Sequence, residues 1–149
     1  GWADDAYKVM GDARVCLSPL RFGAGIKGKL LEAMIMQTPS VTTPIGSEGM
    51  HQNEPWSGAI CEDAQQFADA AVALYQDEAL FTQAQQNGQL LLQKYYDKSK
   101  LQSQLIAKIT AISESLAQHR QQNFTGQMLK HHTMRSTQYM AQWIEAKNK

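Results

Sequence analysis

Proline and glycine crowd the front of this chain. All four prolines (Pro19, Pro39, Pro44, Pro55) and eight of the ten glycines fall within the first 58 residues. Beyond them only Gly88 and Gly126 interrupt the sequence. Both residue types mark turns, so the front of the chain must change direction often and the rest seldom. Glutamine has the opposite bias, with 16 of its 18 copies after residue 60. It is a fair helix former that stays polar on a surface, so the second half is expected to be helical. Apolar residues recur throughout that half, so the bias is not low complexity.

The front alternates short apolar runs with helical stretches. Residues 2–11 read as a helix with Asp4 and Asp5 in its first turn and Gly11 to close it. Residues 14–18 are a short strand stopped by Pro19, and residues 20–26 a glycine loop. Residues 27–37 form a second helix with Leu30, Leu31, Met34 and Ile35 at core-facing spacing. β-Branched residues 40–43, between Pro39 and Pro44, form a second strand. Gly46-Ser47-Glu48-Gly49 reads as a loop and residues 58–61 as a third strand. Strands alternating with helices predict an α/β fold with parallel strands and helical crossovers. Asp63 can cap the next helix, whose stripe is Phe67, Ala71, Leu74 and Tyr75. Phe81, Ala84, Gly88, Leu91 and Tyr95 share a face on the one after. Leu105, Ile109, Ile112 and Leu116 span less than two heptads, so core packing is expected there rather than a coiled coil. A last helix over about residues 127–146 is expected to pack through Met128, Tyr139, Met140, Trp143 and Ile144. Three or four helices are expected in this half.

Composition narrows the partners. Lys and Arg number 14, as do Asp and Glu, giving a net charge of zero. Nucleic-acid and polybasic membrane partners need a cationic excess, so neither is expected. At 43% hydrophobic and 19% charged residues the chain is no charge-rich disordered segment. No apolar run approaches the ~20 residues that span a bilayer, and no signal stretch opens the chain. Cys16 and Cys61 each sit in an apolar run, which suits a reducing cytoplasm.

The chemistry concentrates in Leu17-Ser-Pro-Leu-Arg-Phe-Gly-Ala-Gly-Ile-Lys-Gly-Lys-Leu-Leu-Glu32. A strand runs into a glycine loop and then a helix start, where free N–H groups and the helix dipole favour an anion. Glycines let backbone amides approach a phosphate closely. Arg21, Lys27 and Lys29 add three cations, which suits a diphosphate. Gly23-Ala-Gly-Ile-Lys-Gly28-Lys29 also satisfies the G-x-x-x-x-G-K of a P-loop. The next position should carry the Ser or Thr that ligates Mg²⁺, and here it is Leu30. No strand ends in a metal-binding aspartate either, so a P-loop NTPase is disfavoured.

Arg21-Phe-Gly-Ala-Gly-Ile-Lys-Gly-Lys-Leu-Leu-Glu-Ala-Met34, followed by Pro39-Ser-Val-Thr-Thr-Pro-Ile-Gly-Ser-Glu-Gly49, resembles the sugar-nucleotide site of group 1 glycosyltransferases of the GT-B fold. The resemblance covers residues 1 to about 76, with a weaker likeness in the tail from His131 to Glu145. It implies a partial Rossmann-like donor-binding domain over residues 1–76 and a helical C-terminal extension over residues 77–149. It implies that Glu32 holds the ribose hydroxyls and that the loop and helix start hold the diphosphate. The diphosphate residues would be Arg21, Gly23, Gly25, Lys27, Leu30 and Leu31, with Lys29 solvated. Gly46, Ser47, Glu48 and Gly49 would lie beside the site. The implied substrate is a sugar nucleotide of UDP or GDP type, used without a metal or other cofactor, and the acceptor is a glycan or lipid. Many relatives carry a sugar-contacting glutamate where this chain has Ala24, so sugar identity stays open.

The family's acceptor domain is not recognisable here, and Gly1 stands where a methionine would open a chain. The expectation is a piece of a larger enzyme, without turnover alone, and a non-catalytic nucleotide-binding or helical interaction module is the alternative. His131, His132 and nearby His119 lack companions at ligand spacing, so no metal site is expected. Trp56 could cover a base or pack in its loop, and both readings are open. His51 could approach the donor site.

Overall fold

The computed structural model describes residues 2–148, the side chains at positions 131–134 excepted. The chain divides into two compact units, Gly1–Lys98 and Ser99–Lys149.

In the first unit the elements run α1 (Ala6–Asp12), β1 (Cys16–Ser18), α2 (Gly28–Ile35), β2 (Ser40–Thr42), α3 (Pro44–Ser47), β3 (Gly58–Ile60), α4 (Ala64–Gln76) and α5 (Glu78–Tyr95). The three strands form one parallel sheet in the order β1-β2-β3. This is the α/β architecture that the strand and helix alternation predicts. Register places Cys16, Ser40 and Gly58 side by side, then Leu17, Val41 and Ala59, then Ser18, Thr42 and Ile60. Successive side chains alternate between faces. The middle row therefore faces α4, where Val41, Cys61, Leu74 and Ala84 form one buried cluster. The outer rows face α2 and α5, where Leu30, Met34, Met50, Trp56 and Leu91 form another. The result is three layers, with helices on both sides of the sheet, as parallel strands require.

Small residues let these layers close. Gly58 stands so near β2 that a Cβ would meet the Ser40 carbonyl oxygen at 2.1 Å. A Cβ on Gly88 of α5 would meet Ser57 Oγ at 2.6 Å and Met34 Cγ at 3.5 Å. The stripe predicted for α5 is correct, since Ala84, Gly88 and Leu91 are buried and Tyr95 packs on the core. On α4, Leu74 is buried and Phe67 and Ala71 pack inward, but Tyr75 is 65% exposed. The reason is the sheet edge: α4 packs chiefly on β2 and β3, and β1 is the edge strand on that side. Leu17, Val72 and Tyr75 line an apolar hollow there.

Helix ends shift for identifiable reasons. Asp5 is the N-cap of α1 rather than a first-turn residue, and its side chain accepts from Lys8 N–H. Helix α2 stops at Ile35 instead of Gln37 because Gln37 takes a left-handed φ of 59°. Gln37 N–H donates to Met34 O and Thr38 N–H to Ala33 O, a Schellman ending with glutamine where glycine is usual. Residues 46 and 47 belong to the single turn of α3, with Thr43 as its cap and Pro44 at its start, so only Glu48 and Gly49 of the predicted loop lie beyond it.

The second unit holds α6 (Lys98–Glu114), α7 (Leu116–Gln122) and α8 (Phe124–Lys147). With α4 and α5 this makes five helices after β3 rather than three or four. Ser115 breaks the expected continuous helix: its Oγ donates to Ala111 O at 2.8 Å, a back-bond that competes with the helix ladder. Asn123 caps α8 through Gly126 N–H, starting it three residues earlier than expected. Among the described residues of this unit the expected core packing is not observed. Leu105, Ile109, Ile112 and Leu116 are exposed, as are Met128, Tyr139, Met140, Trp143 and Ile144. Periodicity alone set a face without supplying anything to cover it. His131 and His132 lie on α8, but their side chains are outside the described residues.

Two substitutions test this packing in opposite directions. Gln37→Gly removes the left-handed cost of a Cβ and should raise stability by about 0.5–1 kcal/mol. Gly88→Ala forces a methyl group onto Ser57 and should lower it by about 1–3 kcal/mol. Urea unfolding midpoints of the purified chain measure both.

Candidate functional site

In open parallel α/β sheets, ligands bind beyond the carboxyl ends of the strands. Here those ends are Ser18, Thr42 and Ile60, and the segments leaving them are the glycine loop, Thr43 with α3, and residues 61–63. Thr42 Oγ1 donates to Ser18 O at 3.0 Å, and Thr43 Oγ1 donates to Leu20 O at 2.6 Å. These two bonds tie the start of the glycine loop to the end of β2. The loop itself is exposed from Arg21 to Ile26. Gly25 has φ 69°, a conformation that a side chain would strain.

The loop ends at Lys27, the N-cap of α2. Its side chain makes no capping bond. Leu30 N–H and Leu31 N–H both donate to Lys27 O, at 2.9 and 3.3 Å. The amides without an intrahelical acceptor at this helix start are therefore those of Gly28 and Lys29. The side chain of Leu30 is fully buried in the core, so the helix start is fixed from below. Lys29 is exposed, as expected for a solvated lysine. Lys27 differs: it is 9% exposed, and its Nζ is buried without a hydrogen-bond partner.

Glu32 is half-buried on α2, and its carboxylate makes no hydrogen bond or ion pair among the described residues. It stands one turn after Gly28, and helical side chains lean toward the N-terminus. Its carboxylate is thereby biased toward the loop end of the helix. Glu48 follows α3, with its Oε2 3.9 Å from Lys27 Nζ. Next to it, a Cβ at Gly49 would touch Ile26 Cδ1 at 4.0 Å. The geometry so brings together Lys27, Ile26, Glu48 and Gly49. Gly46 and Ser47 are buried in α3. Arg21 lies elsewhere on this edge, lining a hollow of about 340 Å³ with Thr43, Glu62 and Asp63. Another hollow of about 540 Å³ is lined by Ser47, Glu48, Gly49, His51 and Gln52.

Four further residues have structural surroundings. Trp56 packs in the core with Met34 and Leu91 rather than lying open to a ligand. His51 turns an edge to Trp56 and its Nδ1 meets Glu54 O at 2.8 Å. Burial pushes the thiols of Cys16 and Cys61 up, partly offset by Lys29 at Cys16 and reinforced by Asp63 at Cys61. Thiols so held are poor nucleophiles. Sequence reasoning set Lys27 apart from a solvated Lys29, but did not foresee that the Lys27 ammonium is buried. The signal that separates them is helix phase, since Lys27 is the last residue before the helix and Lys29 lies inside its first turn.

Among the described residues, no group of three or more His, Cys, Asp or Glu is arranged to hold a metal ion. Nor, among the described residues, is any helix long and apolar enough to cross a membrane. Comparison with curated proteins and with solved structures gave no match. Comparison with protein families gave one: group 1 glycosyl transferases, over residues 1–77. That is more than half of the 149 residues. The matched stretch contains all three strands, and so the loop, the helix start and the turn that meet at their carboxyl ends. The chain belongs to the group 1 glycosyl transferase family.

Proposed function

We propose that residues 1–98 are the sugar-nucleotide-binding part of a GT-B glycosyltransferase that moves a sugar from a UDP- or GDP-type donor to a glycan or lipid acceptor. The observation that carries this reading is the buried ammonium of Lys27, without a hydrogen-bond acceptor, at the start of α2 within a chain of this family. A desolvated cation beside free helix amides calls for an anion with several acceptor oxygens. The diphosphate would rest on the amides of Gly28 and Lys29, with Leu30 and Leu31 behind them. Gly23 and Gly25 would leave room for the phosphates, and Arg21, which lines a separate hollow on the same edge, would add charge from the start of the loop. Glu32 would accept from both ribose hydroxyls, as an ionised carboxylate can.

Sugar transfer leaves negative charge on the departing diphosphate. Fixed donors aimed at that charge lower the barrier without reorganising during the reaction. Lys27 and the start of α2 would supply them, with no metal required. The described residues hold one parallel sheet. A reaction cleft between two α/β domains needs a second, which in this reading binds the acceptor. The 149 residues alone would bind donor without transferring the sugar. A cytoplasmic place in polysaccharide synthesis fits such a donor. A second reading, a helical interaction module, is favoured by the exposed apolar residues of α6 and α8.

Calorimetric titration of the purified chain with UDP and GDP, with and without Mg²⁺, tests the proposal. Metal-independent binding of one of them is expected. Glu32→Ala should weaken it by ~1–3 kcal/mol, the scale of a hydrogen bond to a charged group. Strict dependence on Mg²⁺ and a triphosphate would overturn the reading. A folded chain that binds no nucleotide would favour the interaction module.

A further inference from the structure

Lys27 is an ammonium held nine-tenths buried, and its Nζ has no hydrogen-bond acceptor. A buried cation is costly unless it is both paired and hydrogen-bonded. Its ion-pair partner among the described residues is Glu48, with 3.9 Å between Nζ and Oε2. That separation is too long for a hydrogen bond, so Glu48 offers charge and nothing more. The carboxylate is also 70% exposed, where water screens the attraction. Glu48 thus satisfies Lys27 only in part, from a position that can be vacated at little cost.

The placement of Glu48 gives this weak pair a consequence. Glu48 is the C-cap of α3, at the carboxyl end of β2, and reaches a cation on the other side of the glycine loop. It also lines the hollow that His51 and Gln52 share. We propose that Glu48 competes with the donor's diphosphate for the Lys27 ammonium, so that donor binding displaces Glu48 and diphosphate release restores the pair. The inference rests on the donor-site reading above and adds a regulation of that site. Phosphate oxygens make short, charge-assisted bonds to an ammonium, which a carboxylate at 3.9 Å does not. The diphosphate therefore wins the exchange, but against a resident competitor. Glu48 lowers the affinity for every diphosphate species, and most usefully for the product, which must leave before the next donor enters.

The test is a double-mutant cycle on the full 149-residue chain. Dissociation constants for UDP, GDP and inorganic pyrophosphate are measured for the wild type, Glu48→Gln, Lys27→Met and the double variant. Glu48→Gln should tighten binding by about 2- to 5-fold, the range of a weak, partly exposed ion pair. In the Lys27→Met background the same change should have no effect, because the contested cation is gone. Should Lys27→Met fail to fold, Glu78→Gln serves as the second comparison. Glu78 opens α5, after α4 has run back from the carboxyl end of β3, and so lies toward the opposite edge of the sheet. It should leave affinity unchanged. Unchanged or weaker binding by Glu48→Gln would overturn the proposal, as would an equal gain in the Lys27→Met or Glu78→Gln comparison. If a nucleotide binds and Glu32→Ala weakens it while Glu48→Gln does nothing, the donor site stands and this inference alone falls. If no probe binds the folded wild type, both fall.

Discussion

Strand β2 is the constraint on which the first unit depends. Ser40, Val41 and Thr42 are all buried, between two parallel neighbours and beneath helices on both faces. Three residues form a very short strand, and their own hydrogen bonds would not hold a sheet in water. Packing does so instead. Val41 anchors the α4 side, while Gly58, lacking a Cβ, lies close against the Ser40 backbone. Gly88 then allows α5 to close on Ser57 and Met34 from outside. Side-chain bonds extend the order beyond the strand ends, through Thr42 to Ser18 O and Thr43 to Leu20 O.

The candidate site follows from this arrangement. Parallel strands all point their carboxyl ends the same way, so the loops leaving them converge on one edge. Helix α2 is fixed by Leu30 and Met34 in the core, and its free amides are carried on that rigid base. The exposed glycine loop runs into Lys27, whose ion-pair partner among the described residues is Glu48 from the next segment. A rigid helix start and a weakly held cation are a combination that receives an anion well. The second unit has the opposite character. Its helices form, with Asn123 capping α8, yet its large apolar side chains are exposed.

Much of the first unit was legible in the sequence because its signals are local. Pro19, Pro39 and Pro44 bound the strands, Asp63 caps α4, and the apolar spacing of α5 names its buried face. The residues of the glycine loop announce an anion site by type and order. Other features depend on distant partners. Gln37 takes a backbone conformation normally left to glycine, with its carbonyl accepting from Gln85 Nε2 48 residues away. Tyr75 belongs to an inward stripe by spacing, and is exposed because the sheet ends at β1. The apolar periodicity of α6 and α8 predicted burial that the structure does not provide.

The sequence by itself determined the α/β alternation, the helical second half and the identity of the loop that carries the cations. Each of these is written in residues a few positions apart, through turn chemistry, capping and apolar period. Tertiary structure alone decided how deeply Lys27 is buried and what stands against it. It also decided that Trp56 is core and that Arg21 faces a hollow shared with Glu62 and Asp63. The physical reason is that burial and charge pairing belong to the space between segments. Lys27 and Glu48 are 21 positions apart and meet only because β2 carries α3 back beside the start of α2.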